Sequence, residues 1–170
     1  GVLKKEDVLP LLKSTDWTLR MQALSVLPSV LNRENHKEFL PVLIAMFDEN
    51  DTLAAPYLAF LSPHIQSFDS AEANKFLLAL SKKYASNVFI SDAVISNLQN
   101  KEAGFYKEFT AINPDTSLVL SKRLKKIVDD MAKKKVNTPD PAMEFPRGLA
   151  LYRSICQACH GADGNGVNGL

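Results

Sequence analysis

The stretch Asp16-Trp17-Thr18-Leu19-Arg20-Met21-Gln22-Ala23-Leu24 decides the fold. It opens on an aspartate, whose carboxylate can accept from the unpaired N–H groups of a helix's first turn. Apolar residues then follow at steps of three and four through Leu19, Ala23, Leu24, Leu27, Val30 and Leu31. That is the period of a helix with one buried face. The same opening returns as Asp51-Thr52-Leu53-Ala54 and as Ser86-Asn87-Val88-Phe89, at a constant step of 35 residues. Seven positions past each expected cap stand Ala23, Leu58 and Ala93. A shorter apolar helix precedes each unit, at Val8–Leu12, Leu40–Phe47 and Phe76–Leu80. One helical hairpin cannot bury its apolar face alone, so hairpins repeated at this period predict an all-α fold stacked as a short α-solenoid. No stretch alternates apolar and polar residues for long enough to predict a sheet.

Working outward, Lys101–Ile112 reads as a helix with Phe105, Tyr106 and Phe109 on one side. Asn113-Pro114 breaks it, and Asp115 is placed to cap the next. That helix runs from Thr116 to about Lys134, with Leu120, Leu124, Ile127, Val128 and Met131 on its apolar face. Its other face is basic: residues 121–135 hold seven Lys+Arg against two Asp. The run is either a solvated face or a docking patch for an acidic partner. No aromatic residue is interleaved with it, so nucleic-acid binding is not expected.

The segment Asp16 to Leu24 resembles the second-helix signature of HEAT repeats, and the likeness covers roughly residues 4–100. It implies HEAT-like hairpins over residues 1–135. Pro28, Pro56 and Pro63 imply kinks or early helix ends. Trp17 is expected to pack at the first helix–helix contact, and His36 and His64 to be ordinary surface or helix-end residues. Val136-Asn137-Thr138-Pro139-Asp140-Pro141 opens a linker assigned to residues 136–144, stiffened by its prolines.

A different kind of sequence begins at residue 145. Its core is Gly148-Leu149-Ala150-Leu151-Tyr152-Arg153-Ser154-Ile155-Cys156-Gln157-Ala158-Cys159-His160-Gly161. Cys-x-x-Cys-His is the attachment signal for c-type haem. Two thiols three residues apart can add to the two vinyl groups along one haem edge, and the adjacent imidazole can then bind the iron. Gly148, Tyr152 and Cys156 stand four apart and are expected to share one helical face. With this spacing, residues 145–170 resemble the start of a class I cytochrome c domain. The resemblance implies that Gly148 permits close crossing by another helix, that Tyr152 packs at that crossing, and that Cys156 and Cys159 anchor haem c. It also implies that His160 is the proximal iron ligand.

A thioredoxin-like redox pair would want a βαβ context, and structural zinc would want a second such pair; neither pattern is present. Asp163-Gly164-Asn165-Gly166-Val167-Asn168-Gly169 resembles a calcium loop only faintly, without the later bidentate Glu, and reads as a turn. The distal methionine of the family is expected beyond Leu170, because Met21, Met46, Met131 and Met143 all precede the motif. The domain is thus expected to be incomplete here, and this stretch alone is not expected to hold haem.

Composition bounds the rest. Twenty Lys+Arg against nineteen Asp+Glu give a formal charge of +1, too little for a strong field toward nucleic acid or an anionic membrane. No apolar run reaches the roughly 18–20 residues of a membrane span. Gly1-Val2-Leu3-Lys4-Lys5-Glu6-Asp7 lacks the apolar core of a signal peptide, so the periplasmic or exported location that the cytochrome resemblance implies would need a signal upstream. Repeats followed by a mono-haem start resemble the C-terminal region of large multidomain bacterial dehydrogenase-like haem proteins. That architecture implies an electron-transfer module whose partner is a redox protein or an upstream dehydrogenase domain. No clustered acid, base and nucleophile predicts an independent catalytic site. The alternative is a protein-binding scaffold without a redox role.

Overall fold

The computed structural model describes residues 3–48, 50–137 and 145–162. These residues form helices joined by turns, with no strand among them. The chain forms two compact units, residues 1–128 and 129–170. In the first, α1 (Lys5–Leu12) and α2 (Trp17–Val26) precede a short 3₁₀ turn at Leu27–Ser29. Then come α3 (His36–Asp48), α4 (Ala55–Gln66), α5 (Ser70–Tyr84), α6 (Val88–Ser96), α7 (Glu102–Ile112) and the start of α8 (Val119–Asn137). The expected linker residues 138–144 lie outside the described residues; Val136 and Asn137 belong to the last turn of α8. Among the described residues no helix is long and apolar enough to cross a membrane.

Side-chain caps start α2, α5 and α6, because each first turn has N–H groups with no partner inside the helix. Asp16 accepts from the Thr18 N–H at 2.8 Å. Asp51 accepts from Leu53 and Ala54 at 3.2 and 3.0 Å, just ahead of α4. Asp69 accepts from Glu72 at 3.0 Å. The third unit departs from the expected register: Asn87, not Ser86, caps α6, accepting from the Ile90 N–H at 3.1 Å. Both types can cap, but only the Asn87 carbonyl oxygen stands at the helix start. Pro28 falls in the 3₁₀ turn, Pro56 in the first turn of α4 where a missing N–H is harmless, and Pro63 inside that helix.

Helices pack with their sequence neighbours, above all α1 on α2 and α4 on α5, and also with the next helix but one. The odd members α1, α3, α5 and α7 form one run of contacts; α2, α4 and α6 form another. Between them lies a continuous apolar core that includes Leu27, Phe39, Leu43, Leu58, Ile65, Leu80, Val94, Phe109 and Leu124. Each such side chain contributes roughly 1.5–3 kcal/mol by leaving water. Phe47 and Phe76 meet inside it, ring centroids 5.0 Å apart and tilted by 50°. The start of α8 is fastened to α6: Arg123 pairs with Asp92 and donates to the Val88 carbonyl at 3.5 Å.

One expectation about packing is corrected. Trp17 is 58% exposed, and Leu53 and Phe89 lie uncovered as well, so none of the three belongs to the core. They stand in the first turns of α2, α4 and α6 or just ahead of them, on the flank of the apolar stripe that no neighbour reaches. His36 stands at a helix end, as expected, and is buried there, 4% exposed. Its Nδ1 donates to the Arg33 carbonyl at 3.0 Å, and its ring lies 6.0 Å from that of Phe68. His64 is exposed in the last turn of α4, as expected.

One ion pair ties α2 to the turn ahead of α4. Arg20 of α2 reaches Asp51 at 2.9 Å, with the two side chains 18% and 12% exposed, and also donates to the Ser14 carbonyl at 2.8 Å. Asp51 therefore both bridges the turn that leads into α4 and is the counter-charge of a shielded guanidinium. Asp51→Ala is expected to destabilise the first unit by about 2–3 kcal/mol, because it strands Arg20 and unties that turn together. The midpoint of urea unfolding reads the loss; a change below about 0.5 kcal/mol, the range of an ordinary surface substitution, would contradict this account.

Two carboxylates set an acid limit: Asp69, which caps α5, and Asp115, which bridges the turn ahead of α8. The Glu72 N–H holds the Asp69 carboxyl below the usual carboxylate range, with nearby Lys37 and His36 acting in the same direction. The Ser117 hydroxyl and N–H do the same for Asp115. A carboxyl lowered on folding adds stability that is fully present above its unfolded value, about 3.9, and that is lost as pH falls through the folded value. Melting temperature is expected to fall more steeply below about pH 4 in the native chain than in an Asp69→Asn, Asp115→Asn variant. Equal acid slopes would show that the two carboxylates contribute nothing.

Candidate functional site

The second unit carries the cysteine motif on one short helical run. Phe145 leads into Pro146, whose ring fits a first helical turn because no N–H is needed there. An α-helical piece, α9 (Pro146–Leu151), widens into a π turn over Tyr152–Cys156, and α10 (Gln157–His160) completes the run. Across the π turn the Gln157 N–H reaches back to the Tyr152 carbonyl. Gly161 then turns the chain at φ 76 and ψ 172, a conformation that glycine adopts at low cost.

Tyr152 is half-buried, and its hydroxyl donates to the Gly161 carbonyl at 2.6 Å. The Gly161 N–H in turn donates to the Gln157 carbonyl at 2.9 Å. Tyr152 thus fixes the point where the chain leaves His160. Tyr152 and Cys156 are the two ends of the π turn. A Cβ added at Gly148 would meet only the Phe145 Cβ, at 3.6 Å, an ordinary contact.

Cys156 and Cys159 are both exposed free thiols, and His160 is exposed one residue further on. Among the described residues, no three His, Cys, Asp or Glu side chains converge to hold a bare metal ion. A metal carried in a macrocycle needs less from the protein. Each sulfur could form one thioether, and the imidazole could supply one nitrogen ligand. On the same helical run Phe145, Leu151 and Ile155 are uncovered, Ile155 to 68%. These three residues were not singled out from the sequence. Their signal was present: Gly148, Leu151, Ile155 and Cys159 follow steps of three and four, the pattern of one helix side.

The basic run of α8 is partly neutralised within the chain. Arg123 is paired with Asp92, and Lys133 lies 3.8 Å from Asp130. His36 and His64 belong to the first unit and join no ligand group among the described residues. No protein-family model matches the chain, and no curated protein and no solved structure is similar to it.

Proposed function

We propose that the chain is the electron-transfer module of a larger bacterial oxidoreductase, in which Cys156 and Cys159 hold haem c covalently and His160 ligates its iron. The observation that carries this reading is the Cys-x-x-Cys-His run on one accessible turn, with both sulfurs free. Each thiol adds across one vinyl group: the S–C bond forms, and the thiol proton goes to the neighbouring vinyl carbon. The step consumes no oxidant and requires reduced cysteines. A bound haem supplies reversible one-electron chemistry at iron; the chain's own residues attach it, orient it and exclude water from it. Phe145, Leu151 and Ile155 provide apolar cover on one side. Tyr152, through Gly161, limits the directions open to the His160 ring.

In this reading α1–α8 form a short HEAT-like α-solenoid, an arrangement supported by the two runs of next-but-one contacts and by the recurring side-chain acceptors Asp16, Asp51 and Asn87. Its role is to hold the haem carrier against its electron donor, a redox protein or an upstream dehydrogenase domain. Attachment of this type places the protein in the periplasm or outside the cell. The natural protein, matured with c-type attachment machinery in an oxidising compartment, is expected to keep its visible haem band after acid–acetone extraction. Complete transfer of the colour to the solvent would overturn the proposal.

A second reading keeps the helices and drops the redox role. Trp17, Leu53 and Phe89, uncovered at the starts of three even-numbered helices, favour a scaffold that another protein covers. A colourless natural protein would leave that reading in place.

A further inference from the structure

The first unit holds a cleft of about 370 Å³ where the end of α4, the start of α5, the loop after α6 and the first turn of α7 meet. That is within the size range of small-ligand sites. Four carboxamides line it: Gln66, Asn74, Asn97 and Asn100. The Asn74 amide donates to Glu108 at 2.5 Å, and the Asn97 amide to the Ala93 carbonyl at 2.6 Å, so the carbonyl oxygens of both stay available as acceptors. Asn100 stands at φ 68, a left-handed position that asparagine tolerates, and Gln99 before it stands at φ 37. The backbone bend after α6 is what brings Asn100 to the cleft. The floor is apolar, with Phe105 only 4% exposed.

Gly104 is the second, independent sign. It lies in the first turn of α7 and in the wall of this cleft. Its φ is not among the positive ones, so the backbone does not demand glycine. A Cβ there would meet nothing within 4 Å, so packing does not demand it either. Glycine weakens a helix relative to alanine. A glycine that neither the backbone nor packing demands thus stands in the wall of a cleft lined by amides, with open space beside it.

From these observations we infer that the cleft binds an extended, uncharged peptide segment of a partner protein. A carboxamide offers a donor and an acceptor together, which is what each peptide unit of an extended chain requires. The apolar floor takes the side chains that point inward every second residue. Lys101 and Glu108 at the walls cancel in charge, so neither an acidic nor a basic ligand is favoured. A sugar or nucleobase would want an exposed aromatic platform, and Phe105, the one ring in the lining, is buried.

The test pans the full chain against a phage-displayed library of random peptides and titrates the enriched peptides into variants. Gly104→Leu fills the cleft from a position with free space and favours the helix, so its melting temperature is expected to be unchanged or raised. Asn100→Gly keeps the left-handed backbone and deletes one carboxamide. Uncharged peptides are expected to be enriched, and each variant is expected to weaken their binding by about tenfold or more, the scale of a lost buried hydrogen bond. The inference is overturned if nothing is enriched over a Gly104→Leu counter-target. It is equally overturned if the enriched peptides bind Gly104→Leu as well as the native chain, or if they are charged. None of these outcomes depends on haem.

Discussion

Replacing Cys156 and Cys159 together by alanine is expected to leave the natural protein without covalent colour, while its helical circular dichroism stays unchanged. Both thiols are exposed and neither is part of a disulfide, so their loss removes no packing and no cross-link. The two single variants are the more informative pair. One remaining sulfur can still form one thioether, so each is expected to retain haem attached at a single point, with a shifted reduced-pyridine band and a lower yield. His160→Ala leaves both sulfurs and removes the nitrogen ligand; it is expected to abolish the native low-spin spectrum even where attachment persists. If both cysteines can be removed and the protein stays coloured after denaturing extraction, the sulfurs are not the anchors.

The second large effect concerns the fold. Phe109→Ala is expected to destabilise the first unit by about 3–5 kcal/mol, because its ring is wholly buried and the space it leaves cannot collapse fully. Against a total of about 5–15 kcal/mol that is a large fraction, and at about 4 °C per kcal/mol the melting temperature falls by roughly 12–20 °C. Phe89→Ser changes a ring that is 78% exposed, and is expected to move stability by no more than about 0.5 kcal/mol. Both phenylalanines sit in helices with the same apolar period. Similar losses at the two positions would contradict the packing described here.

That contrast shows what the residues could disclose beforehand. Helix existence was legible because period and side-chain acceptors agree: Asp16 and Asp51 stand where the carboxylates are needed, and Asn113-Pro114 ends α7 as proline chemistry requires. Period alone does not say how wide the covered stripe is. That width depends on which neighbour reaches which flank, and so Trp17 reads as a packing residue and stands in solvent. The one-residue slip from Ser86 to Asn87 has the same origin, since two adjacent good caps compete and tertiary packing chooses. At the cysteine motif the residue types were enough to suggest the chemistry. The π turn was not legible, because it depends on backbone bonds, such as that from Gln157 to Tyr152, rather than on a residue type. The amide-lined cleft was hidden for another reason: its walls come from four separate elements. Its one local signal was the polar run Gln99-Asn100 after α6, a turn composition that marks where the chain bends without saying what gathers there.

The most direct test is a thiol count on the natural protein under denaturing conditions. Unfolded, reduced and treated with an alkylating reagent, it is expected to take up no label at Cys156 or Cys159 and to weigh one haem more than its polypeptide. Two labelled cysteines and the bare polypeptide mass would contradict the proposal.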